Sequence, residues 1–350
     1  MTKKIQVGSA FLGGGERVKI QSMTTTKTSD VENTVAQILR LEQAGCEIIR
    51  VAILDEADAL AVRAVKDKIH LPLVADIHFS PKLAIMSIEN GADKVRINPG
   101  NIGGETEIQR VADAVKLHKI PVRVGANTGS IEPHFAKKYG RTAPALVESA
   151  LYNVQILERC GVNDIVISVK ASSVPLTVEA YRLLSKRTDY PLHVGVTEAG
   201  TTEMGIVKSS VGIGSLLLDG IGDTIRVSLT DDPVREVYAA KHILRACGLE
   251  ENYVEVVSCP TCGRCQWNSM RLAEKVSEYV KNIPVKAKIA VMGCVVNGPG
   301  EAKDADLGIA GGNGFCMLFQ KGEPFLRVSA TDAEEKFFEQ LDLLLKRNNA

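Results

Sequence analysis

Five of the eight cysteines in this 350-residue chain fall between Cys259 and Cys316. SCPTCGRC, Ser258 to Cys265, places a CxxC directly behind a β-like run, and GCVVNGPGE, Gly293 to Glu301, adds a cysteine behind the next such run. Two adjacent strand ends can bring these thiols together. Three thiolates are the soft ligand set for three irons of a cubane, which then needs a fourth ligand. Four thiolates, Cys259, Cys262, Cys265 and Cys294, would instead hold zinc. A bare CxxC redox pair is the weaker alternative, because no thioredoxin-like βαβ pattern surrounds it. Cys46, Cys160 and Cys247 stand singly among apolar residues and read as small buried hydrophobes.

A second set of candidates is cationic. Alternation along KVRIN puts Arg96 and Asn98 on one face, and along PVRVGAN it puts Arg123, Gly125 and Asn127 on one face. Ser168 and Lys170 alternate against Ile167 and Val169. Arg50, Asp76 with His78, Thr197 with Glu198, and Arg226 with Ser228 stand at the ends of other apolar runs. Charged groups pointing inward are costly unless paired, so several arginines with few facing carboxylates imply an anion from outside, a phosphate or diphosphate above all. For any single arginine, a structural pair with Asp76, Glu198 or Asp223 explains it equally well; for the whole set it does not. His78 lacks a second histidine at ligand spacing and keeps an unassigned role. Residues 129–141, with Lys137, Lys138 and Arg141, could form a lid or a plain solvated loop.

The elements that would position these groups follow a βα rhythm. Val/Ile-rich runs at 18–23, 47–52, 72–77, 93–98, 121–126, 164–169, 191–196 and 223–228 are each followed by a helical pattern, such as 30–44 or 81–90. Eight βα units in this length predict a TIM barrel, with the strand-end residues at its C-terminal mouth. GxGxxG is absent after the first strand, which disfavours an open doubly wound sheet. Residues 8–15, containing GGG, read as a hairpin or loop closing the barrel floor. The barrel spans 1–248. From 249 to 350 a smaller α+β domain is expected, with strands near 253–257, 286–292, 314–320 and 324–328, helices near 269–282 and 332–346, and residues 293–314 as a long functional loop.

Lysine plus arginine and aspartate plus glutamate number 42 each, so no global field exists to hold nucleic acid or an anionic membrane. No apolar run approaches the roughly 18 residues of a spanning helix, and residues 1–8 carry no targeting pattern, so a cytoplasmic protein is expected.

SCPTCGR and GCVVNGPGE, together with VRINPGNIG at Val95, RVGANTGS at Arg123, GVTEAG at Gly195 and GIGDTIRVSLTDDP at Gly220, resemble the 4-hydroxy-3-methylbut-2-enyl diphosphate synthase family along nearly the whole chain. These are iron–sulfur enzymes of the non-mevalonate isoprenoid pathway. The resemblance implies a [4Fe-4S] cluster on Cys259, Cys262, Cys294 and Glu301, and reduction of 2-C-methyl-D-erythritol 2,4-cyclodiphosphate. It implies that Arg50, Arg96, Arg123, Asn98, Asn127 and Lys170 bind this substrate, and that Glu198 and Glu301 act in catalysis. Asp76, Ser168 and Arg226 join the substrate set from their strand-end positions. Flavodoxin or ferredoxin would supply electrons. The family arrangement is a head-to-tail homodimer, and the short connector 249–252 agrees with it. Cys265 departs from the motif and leaves a four-thiolate site open; without the inserted domain of plant-type relatives, the chain resembles the shorter bacterial form. A zinc-stabilised barrel lyase acting on a phosphate ester is the competing reading.

Overall fold

The computed structural model describes residues 1–348 apart from Val296 and Asn297, and leaves the side chains of Pro99, Pro299 and Glu301 undescribed. It divides into two compact units, Met1–Leu249 and a second from Glu250 onward.

The first unit opens with a hairpin, β1 (Ile5–Val7) against β2 (Ala10–Leu12), whose turn and second strand fall in the glycine-rich segment 8–15 while its first strand precedes it. Then βα units follow: β3 (Lys19–Met23), α1 (Val31–Ala44), β4 (Ile48–Ala52), α2 (Glu56–Lys66), β5 (Leu73–Asp76), α3 (Pro81–Glu89) and β6 (Lys94–Ile97). After a short helix α4 (Pro99–Ile102) come α5 (Glu105–His118), β7 (Val122–Asn127), α6 (Pro133–Tyr139), α7 (Ala143–Arg159), β8 (Ile165–Lys170) and α8 (Val174–Ser185). The unit ends with β9 (His193–Val194), α9 (Thr202–Leu218), β10 (Thr224–Ile225) and α10 (Pro233–Ala246). All eight strands from β3 to β10 pair in parallel in the order β8-β7-β6-β5-β4-β3-β10-β9. A parallel bridge from Ile167 to Leu192 closes the circuit, so the predicted TIM barrel is present.

Helices start where side chains can satisfy their free N–H groups. Asp30, Asp55, Ser80, Ser173 and Asp232 accept from the first turns of α1, α2, α3, α8 and α10, and Pro81, Pro175 and Pro233 enter those turns without a donor to lose. Strand residues facing outward, such as Leu73, Val95, Ile97, Val122 and Val124, pack with Ile38, Leu41, Val62, Val111 and Leu157 of the helices in one apolar layer. Inward-facing positions near the C-terminal strand ends are left for polar groups.

The second unit is a five-stranded sheet in the order β11-β12-β13-β14-β15. Its elements are β11 (Val254–Ser258), α11 (Ser269–Val280), β12 (Ala287–Met292), α12 (Gly298–Glu301), β13 (Leu307–Gly311), β14 (Phe315–Gln320), β15 (Glu323–Ser329) and α13 (Ala333–Asn348). The first three strands run parallel and the last two antiparallel. Leu272 and Val276 of α11 and Phe337, Leu341 and Leu344 of α13 cover one face against Ile289, Val291, Ile309 and Leu318. On the other face Ala290, Met292, Ala310 and Phe319 pack with Ala302 and Ala305.

Residues 293–314 are therefore not the long loop expected from their glycine content, since they include the central strand β13. Its sequence LGIAG shows little β signal because aromatic rings occupy the space that side chains would take. A Cβ on Gly308 would stand 2.1 Å from Phe319 Cζ, and one on Gly311 would stand 1.9 Å from Trp267 Cδ1. Phe319 is wholly buried. Gly308→Ala should therefore overpack the sheet and lower its stability by about 1–3 kcal/mol, seen as an earlier transition in urea; an unchanged transition would mean that the ring yields freely.

Candidate active site

Strands β3 to β10 deliver one ring of side chains to the C-terminal mouth. A cavity of about 300 Å³ there is lined by Arg50, Asp76, Arg96, Arg123, Ser168, Lys170 and Arg226, with Met23, His78, Gly125, Asn127, Thr197 and Ser228 completing the wall. The pleat explains the selection: register pairs Arg96 with Arg123 and Asn127 with Lys170, so like positions of neighbouring strands point inward together.

Asp76 holds the cations in place. Its carboxylate accepts from Arg96 Nη1 at 3.2 Å and lies 3.6 Å from Arg50 Nε. Burial alone would raise this carboxyl, but Arg50, Arg96 and Arg123 bring it down to about 2. Arg50 also points at the Met23 sulfur, with Nη2 at 2.8 Å. Burial, with Arg226 and Arg96 adding to it against Asp76, pushes Arg50 down to about 10. Arg96 donates to the Gly125 carbonyl at 3.3 Å. Arg226 lies 3.6 Å from the buried Glu236 of α10. Arg123 is the least satisfied: it is 2% exposed, and its Nε and Nη1 have no hydrogen-bond partner among the described residues. Burial and then Arg50 and Arg96 lower it well below the usual guanidinium value, and burial followed by Arg123, Arg50, Arg226 and Arg96 does the same to Lys170.

Two glycines keep this space open. A Cβ on Gly125 would meet Arg96 Nε at 2.9 Å, and one on Gly195 would meet the Arg226 carbonyl at 2.5 Å and Lys170 Nζ at 2.7 Å.

An adjoining cavity contains the rest of the expected site. Asn98, Asn127, Thr197 and Glu198 line it together with Gly100, Glu132 and the exposed ring of Phe79. Asn98 is a latch as much as a ligand, because its Oδ1 accepts from the Gly125 N–H at 3.0 Å. Glu198 is exposed with φ 51°, a left-handed conformation that a glutamate adopts only when its surroundings impose it. Asp223, considered as an arginine partner, instead bonds Thr2 Oγ1 at 2.6 Å and the Leu192 N–H at 2.7 Å, away from the mouth. The segment considered as a lid is partly helix: Lys137 and Lys138 ride on α6, while Ile131, Glu132 and Pro133 border the adjoining cavity.

Met23 and Glu236 were not among the residues expected here. The alternation of Lys19, Gln21 and Met23 could have revealed the first; the second comes from a distant helix and carries no local signal. A roomier groove between α9 and α10, lined by Ile206, Tyr238, His242 and Cys247, is mostly apolar and receives no strand end.

In the second unit, register sets Ser258 opposite Val291, so Cys259 and Cys294 leave the ends of adjacent parallel strands. Cys259 Sγ accepts the Gly293 N–H at 3.1 Å, and a Cβ on Gly293 would lie 3.4 Å from that sulfur and 3.2 Å from Cys265 Sγ. Cys262 is exposed. Cys265 donates to the Trp267 carbonyl at 3.1 Å and lies 3.4 Å from Ser269 Oγ, tying down the start of α11. Among the described residues no three ligating side chains already converge; the Glu301 side chain lies outside them.

Comparison with known proteins agrees across both units. A model of the GcpE TIM-barrel domain matches residues 2–241, and a model of the GcpE protein C-terminal domain matches residues 255–343. The 4-hydroxy-3-methylbut-2-en-1-yl diphosphate synthase (flavodoxin) of Caldanaerobacter subterraneus subsp. tengcongensis is 54% identical over 347 residues, covering 99% of this chain and 98% of its own. That of Caldicellulosiruptor saccharolyticus is 53% identical over 347 residues, 99% and 100%. Among solved structures, dihydropteroate synthase of Yersinia pestis aligns at TM-score 0.51 and 13% identity, covering 70% of this chain and 98% of its own. Type I 3-dehydroquinate dehydratase of Clostridium difficile aligns at 0.51 and 15%, covering 71% and 97%. Such remote likeness speaks for the barrel alone. With both units matched and relatives about half identical from end to end, the chain is an enzyme of the GcpE family, to which the flavodoxin-type 4-hydroxy-3-methylbut-2-en-1-yl diphosphate synthases belong.

Proposed function

We propose that this enzyme converts 2-C-methyl-D-erythritol 2,4-cyclodiphosphate to 4-hydroxy-3-methylbut-2-enyl diphosphate, opening the ring by a two-electron reduction and releasing a hydroxyl as water. The observation that carries the reading is Arg123, buried in a ring of further cations with two N–H groups that have no partner among the described residues. A diphosphate supplies the acceptors and the charge that this ring lacks.

Arg50, Arg96, Arg123 and Lys170 hold the diphosphate, and Asp76 fixes the orientation of two of the guanidinium groups. As the ring carbon–oxygen bond breaks, negative charge grows on the departing phosphate oxygen, where the same donors already stand without rearrangement. Arg226, Ser168 and Asn127 complete the wall, and Asn98 keeps β6 in register with β7. Glu198, at the edge of the adjoining cavity, gives a proton to the leaving hydroxyl.

The residues of the second unit fit an iron–sulfur cluster: soft donors leave neighbouring strand ends, and the Cys259 sulfur already accepts a backbone N–H, as a thiolate ligand would. Cys259, Cys262 and Cys294 would hold three irons and Glu301 the fourth, a hard carboxylate being easier to displace than a thiolate. When bound, such a [4Fe-4S] cluster supplies single electrons at low potential. The local bonds of Cys265 support leaving it out of the ligand set. Flavodoxin is the electron donor suggested by the relatives' name, with ferredoxin a second possibility of the same chemistry. A head-to-tail homodimer, the arrangement the family resemblance implies, belongs to this reading. So does a cytoplasmic location: among the described residues no helix is long and apolar enough to cross a membrane.

Protein purified without oxygen should be brown and carry about four irons and four sulfides per chain, by elemental and sulfide analysis; a colourless zinc protein would restore the lyase reading. Arg123→Met should raise KM for the cyclodiphosphate about 10- to 100-fold, since a charge-assisted bond to a buried group contributes roughly 1.5–3 kcal/mol. Steady-state kinetics with an unchanged KM would remove Arg123 from the diphosphate site.

A further inference from the structure

Below the arginine ring, beside Ile48, Val74 and Val166, the barrel interior holds several polar side chains, where such interiors are ordinarily filled with branched apolar ones. Gln21 of β3, Lys94 of β6, His193 of β9 and Thr224 of β10 are each at most 1% exposed. Lys94 Nζ, both ring nitrogens of His193, both amide atoms of Gln21 and the Thr224 hydroxyl have no hydrogen-bond partner among the described residues. The strands that carry them are well held: Tyr181 donates to the His193 carbonyl at 2.5 Å, and His193 pairs in register with Thr224. Burying an unpaired amine opposes folding, so stability does not account for Lys94.

The charged groups acting on Lys94 are Arg123 of β7 and Arg50 of β4. Those acting on His193 are Lys170 of β8, Arg123, Lys94 and Arg50. All are basic, and no carboxylate is among them. Burial first, and these neighbours second, lower both groups well below their ordinary values, which favours the uncharged form of each. Arg50 and Arg123 also line the mouth, so an anion that neutralises them lifts the repulsion on Lys94 as well.

We propose that Lys94 is a proton acceptor coupled to the mouth: a diphosphate enters together with one proton from solvent, which converts the buried amine to an ammonium beneath the bound anion. This rests on the reading of the mouth as a diphosphate site. It stores a proton below a reaction that consumes protons in forming water.

The test is calorimetric titration of the full-length, anaerobically purified protein with inorganic sulfate, which has no proton to exchange near pH 8, in buffers of different ionisation enthalpy. Uptake of about one proton per bound sulfate is expected. Affinity should fall as pH rises, by up to about tenfold per pH unit, because the proton is bound in the complex and absent from the free protein. Lys94→Met should still bind sulfate, lose most of the uptake, and melt at a higher temperature than wild type. A wild-type enthalpy independent of buffer overturns the proposal whether or not the variant folds, and so does undiminished uptake in Lys94→Met. A protein that binds neither sulfate nor inorganic pyrophosphate overturns the diphosphate reading itself; one that binds sulfate without taking up a proton overturns the proton acceptor alone.

Discussion

Mutual repulsion of cations inside a closed ring of strands is the constraint under which the first unit is built. Arg50, Arg96, Arg123 and Arg226 converge from four strands, with Lys170 among them. Asp76 and, through Arg226, Glu236 offset part of this repulsion. The remainder is a standing demand for an anion, and it costs folding free energy that the apolar layer between strands and helices must supply. The large core of branched residues outside the barrel is what makes so polar an interior tolerable.

The same demand accounts for small features around the mouth. Gly125 and Gly195 occur where a side chain would strike Arg96, Lys170 or the Arg226 backbone, so absence of bulk is part of the site. Asn98 bonds the Gly125 N–H and thereby holds two arginine-bearing strands at one level. Glu198 keeps a left-handed backbone at the rim, strain that the neighbouring strand ends must hold in place.

In the second unit the governing constraint is steric. Ring atoms of Phe319 and Trp267 occupy the space beside Gly308 and Gly311 of β13, and glycine is what that strand can carry there. Sheet and rings together set the strand ends from which Cys259 and Cys294 depart.

Much of this was legible from residues alone. Apolar runs recur with the βα period because strands buried on their outer face need them, and alternation named nearly every mouth residue, since a pleat sends every second side chain inward. The hairpin of β1 and β2 was legible only in part, from the glycine of its turn at Gly8, since its first strand precedes the glycine-rich segment 8–15. Strand β13 was not, because the aromatic rings that fill its space come from the neighbouring strand and from Trp267, and the strand itself shows only their imprint, small residues. Nor could any local pattern place Glu236 beside Arg226, or send Asp223 away from the mouth to Thr2 and Leu192. Residue type and spacing, then, determined which groups face inward and that they are basic. Which of those cations is paired, which is left unsatisfied, and how deeply each is buried were decided by the closure of the barrel, because charge balance depends on distances between strands that the linear order does not contain.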